Sequence, residues 1–146
     1  MKLLKTLVVC MCFSLLLMNT QCDEDDDFQV SSCGQPAIID AAYFETAVSS
    51  DYFLVGYNID RDCLSIDVSA SGCDGESWSM VLVDSGNVAE SSPEQRFLKF
   101  VFTNDEDCLA VFSQSRIFNL TGLRVEGSNE VVLNIEGFPE PLSYFY

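Results

Sequence analysis

From Tyr52 to the carboxyl end, the apolar residues of this chain recur at every second position. Leu64, Ile66, Val68 and Ala70 alternate with Ser65, Asp67 and Ser69. A period of two is the pleat of a strand with one face buried and one face wet, and it cannot be laid on a helix. The same pattern places strands at Phe53, Val55, Tyr57 and Ile59, at Trp78, Met80 and Leu82, and at Leu98, Phe100 and Phe102 with Lys99 facing out. It recurs from Cys108 to Phe112, through Ile117–Leu120, at Val131, Leu133 and Ile135, and at Leu142, Tyr144 and Tyr146. Where apolar residues alternate in this way, they are expected to share one buried face. Turn-forming stretches separate them at 71–75, 103–107 and 137–141, and 85–95 reads as a polar loop. Upstream, Ala37 to Ile39 reads as a short edge strand, and Asp40 as the cap of one helical turn through Glu45.

About seven strands and no helix of ordinary length make an all-β protein. The expected form is an antiparallel β-sandwich, Ig-like in architecture, with a small β-barrel as the alternative. It departs from a true immunoglobulin pattern because the residue two before Cys108 is Glu106, not tyrosine.

Strand direction pairs the cysteines. Cys33, Cys63, Cys73 and Cys108 lie in the folded part, and four cysteines in an exported domain read as two disulfides. The strand Leu64–Ala70 between Cys63 and Cys73 spans about 23 Å, too far for a bridge. In an antiparallel arrangement the strand from Trp78 runs away from the Cys73 end and the strand from Phe97 returns to it. Cys73 is therefore expected to pair with Cys108, leaving Cys33 with Cys63.

The amino end carries a different message. Lys2 and Lys5 precede an apolar run from Leu7 to Met18, and Asn19-Thr20-Gln21-Cys22 and the acids Asp23, Glu24, Asp25, Asp26 and Asp27 follow. The run is too short to span a bilayer and has the order of a secretory signal. A signal that stops at a cysteine resembles a bacterial lipoprotein precursor, and acids directly after the cysteine resemble the surface-export signal of Bacteroidota lipoproteins. Asn19 and Gln21 stand where the usual pattern has leucine and a small residue. The resemblance implies acylation of Cys22, loss of residues 1–21 with Cys10 and Cys12, an acidic tether at 22–32 and one domain at 33–146. It implies an outer-membrane location, exposed at the cell surface. Two or three acyl chains would hold the protein permanently.

Over residues 33–146 the chain also resembles short uncharacterised lipoproteins of flavobacteria. The similar segments are Cys63-Leu64-x-Ile66, Ser71-Gly72-Cys73-x-Gly75, Cys108 to Phe112 and Leu133 to Gly137. That group implies no activity.

Composition narrows the chemistry. All 23 acids follow Gln21, against five basic residues, a net charge of −18 that repels nucleic acid. Histidine is absent, which removes Ser-His-Asp and Cys-His nucleophile systems, and no Gly-rich phosphate loop occurs. The oxygen-rich loop containing Asn104, Asp105 and Asp107 is a candidate for calcium, although it lacks the EF-hand spacing. Trp78, Phe97, Phe118, Phe138, Tyr144, Phe145 and Tyr146 would serve as core more readily than as an exposed aromatic patch. The resulting expectation is a non-enzymatic surface module that binds protein, glycan or a divalent cation through loops 71–77, 85–95 and 103–107. A structural part of an envelope complex is the alternative, with a small hydrolase well behind.

Overall fold

The computed structural model describes residues 33–146. Cys22 and the acids Asp23 to Asp27 lie outside the described residues. The elements in order are β1 (Gln35–Pro36), β2 (Ile38–Ile39), α1 (Ala41–Thr46), β3 (Phe53–Asp60), β4 (Cys63–Gly72), β5 (Ser79–Ala89), β6 (Glu94–Thr103), β7 (Ala110–Asn119), a 3-10 turn (Thr121–Leu123), β8 (Glu130–Glu136) and β9 (Leu142–Phe145). They form two separate sheets, ordered β1-β7-β4-β3 and β2-β5-β6-β8-β9. The architecture is the expected β-sandwich, and the barrel alternative falls because the described strands form two sheets that none of them joins into one.

The sheets are mixed rather than antiparallel. β1 pairs with β7, β2 with β5 and β6 with β8, all parallel. The reason is topological. After β6 the chain crosses to the other sheet for β7 and comes back for β8, arriving beside β6 in the same direction. Periodicity reports which face a side chain takes and carries no information about the direction of the partner strand.

Between the sheets lie the inward members of each alternation: Leu64, Ile66, Val68 and Ala70 from β4, Met80 and Leu82 from β5, Leu98, Phe100 and Phe102 from β6, and Val131, Leu133 and Ile135 from β8. Trp78 stacks edge-on against Phe102 at 5.2 Å, and Phe100 against Phe118 at 6.1 Å. Trp78, Phe118 and Tyr144 are core, and Phe138 and Tyr146 pack against it, so they form no exposed patch. Phe97 and Phe145 are exposed. Asp40 caps α1 as expected, accepting from Tyr43 N–H at 2.9 Å.

Three local expectations need correction. In β3, a bulge between Leu54 and Gly56 shifts the phase. Leu54, Tyr57 and Ile59 face the core, while Phe53 and Val55 are 78% and 62% exposed. Most of the loop expected at 85–95 is strand: β5 continues to Ala89 across a second irregularity at Asp84–Val88, and β6 starts at Glu94. Cys108–Phe112 and Ile117–Leu120 are not separate pieces, because β7 runs unbroken from Ala110 to Asn119.

The second irregularity sits over a buried ion pair. Asp84 (0% exposed) and Arg96 (8% exposed) point between the sheets with Nη1 and Oδ1 3.0 Å apart. Asp84 Oδ1 also accepts from Gly86 N–H at 2.7 Å. Burial raises the Asp84 carboxyl above its ordinary range, against the pull of the Gly86 N–H and the Arg96 guanidinium.

Candidate functional site

Cys73 is joined to Cys108 and Cys33 to Cys63. The first bridge fixes the two loops expected to bind a ligand at one end of the sandwich. There Glu106 is turned inward. Its carboxylate accepts from the N–H groups of Cys73 (2.6 Å), Asp74 (3.3 Å), Gly75 (3.1 Å) and Ser77 (3.4 Å), and from the Ser77 hydroxyl at 2.8 Å. Desolvation works to raise its pKa, but the hydrogen bonds from Ser77, Gly75, Cys73 and Asp74 outweigh it and hold the carboxyl at about 2. Gly72 leaves room for this carboxylate, since a Cβ would lie 2.4 Å from Glu106 Oε2 and force it to shift.

Asn104 is similarly committed. Its Oδ1 accepts from Glu106 N–H at 2.9 Å and its Nδ2 donates to the Ser71 carbonyl at 2.8 Å. The oxygens proposed for calcium thus serve the protein's own backbone, apart from the carboxylates of Asp105 and Asp107, which are exposed. Among the described residues, no group of three or more histidine, cysteine or acidic side chains comes together to hold a metal.

Two other polar clusters are closed in the same way. Asp62 Oδ1 accepts from Arg124 at 2.6 Å and from the Tyr144 hydroxyl at 2.5 Å, and Arg124 Nε donates to that hydroxyl at 3.1 Å. The bonds from Tyr144 and Arg124 lower the Asp62 pKa, while burial and then Asp62 push the Tyr144 phenol up to about 12. This cluster ties the β3–β4 turn to β9. On the other side, a hollow of about 400 Å³ is lined by Val48, Tyr52, Lys99 and Glu136 among others. Its charges are mutually occupied: Lys99 Nζ donates to the Phe44 carbonyl at 2.8 Å and lies 3.6 Å from Glu136.

The outward face of β3, β4 and β7 is different. Cross-strand register aligns Phe53, Ser69 and Ser113 in one row, and Asp67 with Ser115, Ser65 with Ile117 and Ser71 with Val111 in others. The centre of the face is therefore hydroxyls and one carboxylate. Its flanks are apolar: Phe53 and Val55 on β3, and Val111 (72% exposed) and Ile117 (43% exposed) on β7. No described element packs against this face. Neither hollow lined by described residues lies on it, and among the described residues it gathers no group of acidic, histidine or cysteine side chains. This face, polar at its centre and apolar at its flanks, is the candidate site.

Of the expected binding loops, 71–77 and 103–107 gather at the end that the Cys73–Cys108 bridge closes, while 85–95, mostly strand, joins β5 to β6 at the opposite end of that hairpin. Two features hide the candidate face in the sequence. The β3 bulge reversed Phe53 and Val55, and Gln114 and Arg116 break the apolar alternation that would have marked β7 as one strand.

No family model and no curated protein matches the sequence. Solved structures share the fold. A NigD-like immunity protein from Bacteroides caccae is similar with a TM-score of 0.55 at 10% identity, covering 77% of this chain and 59% of that one. A protein of unknown function (DUF1344) from Bacteroides vulgatus is similar with a TM-score of 0.51 at 12% identity, covering 78% and 56%. A protein described as toxin-related from Parabacteroides distasonis is similar with a TM-score of 0.51 at 17% identity, covering 78% and 60%. This chain thus spans less than two thirds of each neighbour's length. At these identities the likeness is one of fold, in Bacteroides and Parabacteroides proteins, in keeping with the Bacteroidota resemblance of the amino end.

Proposed function

We propose that this chain is a non-enzymatic exported lipoprotein that docks a partner protein on the outward face of β3, β4 and β7. Cys22 carries the acyl chains, the acids from Asp23 to Asp27 direct it to the outside of the outer membrane, and residues 33–146 are the binding module. The observation that carries the reading is the placement of the exposed apolar side chains. Phe53, Val55, Val111 and Ile117 flank one sheet face against which no described element packs, and exposed apolar groups set beside polar ones are a feature of protein interfaces. The closed polar clusters and the lack of histidine favour docking over catalysis. One fold neighbour is described as an immunity protein, which lends support to a protein partner.

The experiment is site-specific photo-cross-linking in intact cells. A photoreactive residue at Val111 should capture a defined polypeptide, while one at Phe97, exposed on the opposite sheet, should not. Equal capture from both positions, or capture from Phe97 alone, contradicts the assignment of the face.

A further inference from the structure

The proposed docking face ends in a strand edge that no described strand covers over most of its length, and the backbone states which groups point outward there. In a strand, the N–H and C=O of one residue point to the same side, and those of the next residue to the other. The Asn119 carbonyl accepts from Ala37 N–H at 3.1 Å, so it points away from β4. By alternation, Ile117, Ser115, Ser113 and Val111 point the same way. The Phe112 carbonyl accepts from the Ser69 hydroxyl at 3.0 Å on the β4 side, which agrees with this phase. β1 covers only Phe118 and Asn119, and Gly34 is packed against the Ile117 carbonyl. The peptide groups of Val111, Ser113 and Ser115 are left facing outward, with no ladder partner among the described strands.

Sheet edges are normally blunted by bulges, charges, proline or brevity. β3 has its bulge, β9 has four residues, and on β5 the Met80 carbonyl is taken by the Gln35 side chain. β7 has none of these devices from Ala110 to Ser115. Its ten-residue register with β4 is continuous, it carries no proline or lysine, and its one charged residue, Arg116, lies beyond this stretch on the inward face, opposite Ile66.

We infer that the partner binds by strand addition, laying an extended basic segment along Val111–Ser115 of β7 in line with β1. This rests on the docking face proposed above and specifies its occupant. Charge selects that occupant. Residues 33–146 carry 18 acids against five basic residues, a net charge of −13. Arg61, Arg96, Lys99 and Arg124 are already paired with carboxylates. Asp67 lies one strand in from Ser115, and Asp105 and Asp107 lead into β7. An incoming strand with lysine or arginine at alternate positions meets these acids, and apolar residues beside them meet Val111 and Ile117. A second copy of the chain would bring the same negative charge to the edge.

The test uses the full chain and a short end-blocked peptide of alternating lysine and valine, with a twin N-methylated along one edge. Amide shifts should centre on Val111, Ser113 and Ser115, and the N-methylated twin should not bind. Ser113→Pro removes an outward N–H that bonds to no other strand, so the fold should persist while binding weakens roughly tenfold. Ser113→Thr should bind like the parent. Equal binding of the methylated peptide and of Ser113→Pro overturns strand addition, yet leaves docking on the face standing if the Val111 cross-link is seen. The methylated-peptide comparison decides the matter even if Ser113→Pro unfolds. Slow hydrogen exchange at Val111, Ser113 and Ser115 in the free monomer would mean that the chain fills its own edge. A dimer abolished by Ser113→Pro would make the occupant a second copy. Either result overturns the inference.

Discussion

Arg96→Met should destabilise the protein by about 3–5 kcal/mol, because it leaves the Asp84 carboxylate buried without its counter-charge. Asp84 is 0% exposed and the Arg96 guanidinium is its charged partner at 3.0 Å. Asp84 Oδ2 and Arg96 Nε have no hydrogen-bond partner in the structure, so the pair is already imperfectly satisfied. Its role is to avoid a penalty rather than to add stability. Asp84→Asn combined with Arg96→Met should therefore recover most of the loss, since asparagine keeps the acceptor for Gly86 N–H and carries no charge. The pH dependence follows from the sign of the shift. The folded-state pKa of Asp84 is raised above its unfolded value. Stability linked to such a carboxyl is present below the unfolded pKa and is lost as pH rises through the folded one. Without Arg96 the shift grows, so the deficit of Arg96→Met should shrink on acidification. Urea unfolding of the single and double variants at neutral and acid pH checks both points. A single variant as stable as the parent at neutral pH contradicts the account.

Replacing Cys73 and Cys108 together with serine should cost about 3–4 kcal/mol, the loop-closure contribution expected for a bridge of this span. The two cysteines are 35 residues apart in sequence. Because Glu106 and Asn104 stitch the same two loops with hydrogen bonds, the loops should stay near one another when the bridge is absent. The cost should therefore appear in global unfolding rather than in local disorder of 71–77. Denaturant unfolding gives the magnitude, and hydrogen exchange at the amides of Asp74 and Gly75 gives the location. Full loss of protection there in the native state would show that the disulfide, not Glu106, holds this end.

What the sequence shows and hides follows from physics at particular residues. The inward sets of β4, β6 and β8 are legible because each strand keeps an even phase against one buried face. The Cys73–Cys108 pairing follows from strand direction, since β5 leaves the Cys73 end and β6 returns to it, and Cys33–Cys63 follows only as the pair that remains. The β3 bulge was not legible, because inserting one residue changes which neighbour a peptide pairs with while the residue types stay unchanged. Phe53 and Val55 look like core in a sequence and stand on the surface in the fold. Glu106 was also hidden. An acid beside Asn104 and Asp105 has the composition of a cation loop, and only the path of 73–77 reveals the N–H groups it accepts. The parallel pairing of β6 with β8 depends on two crossings between sheets, which leave no mark in local periodicity.

The central claim is that the outward face of β3, β4 and β7 is the binding surface. The most direct measurement is the affinity of the polypeptide captured at Val111 for the parent and for Phe53→Ser combined with Val111→Ser. Both side chains are mostly exposed, so stability should change by no more than about 0.5 kcal/mol for each. Affinity for the captured polypeptide should nevertheless fall by roughly tenfold or more, as expected when apolar anchors leave an interface. Unchanged affinity in a variant with unchanged unfolding would contradict the account.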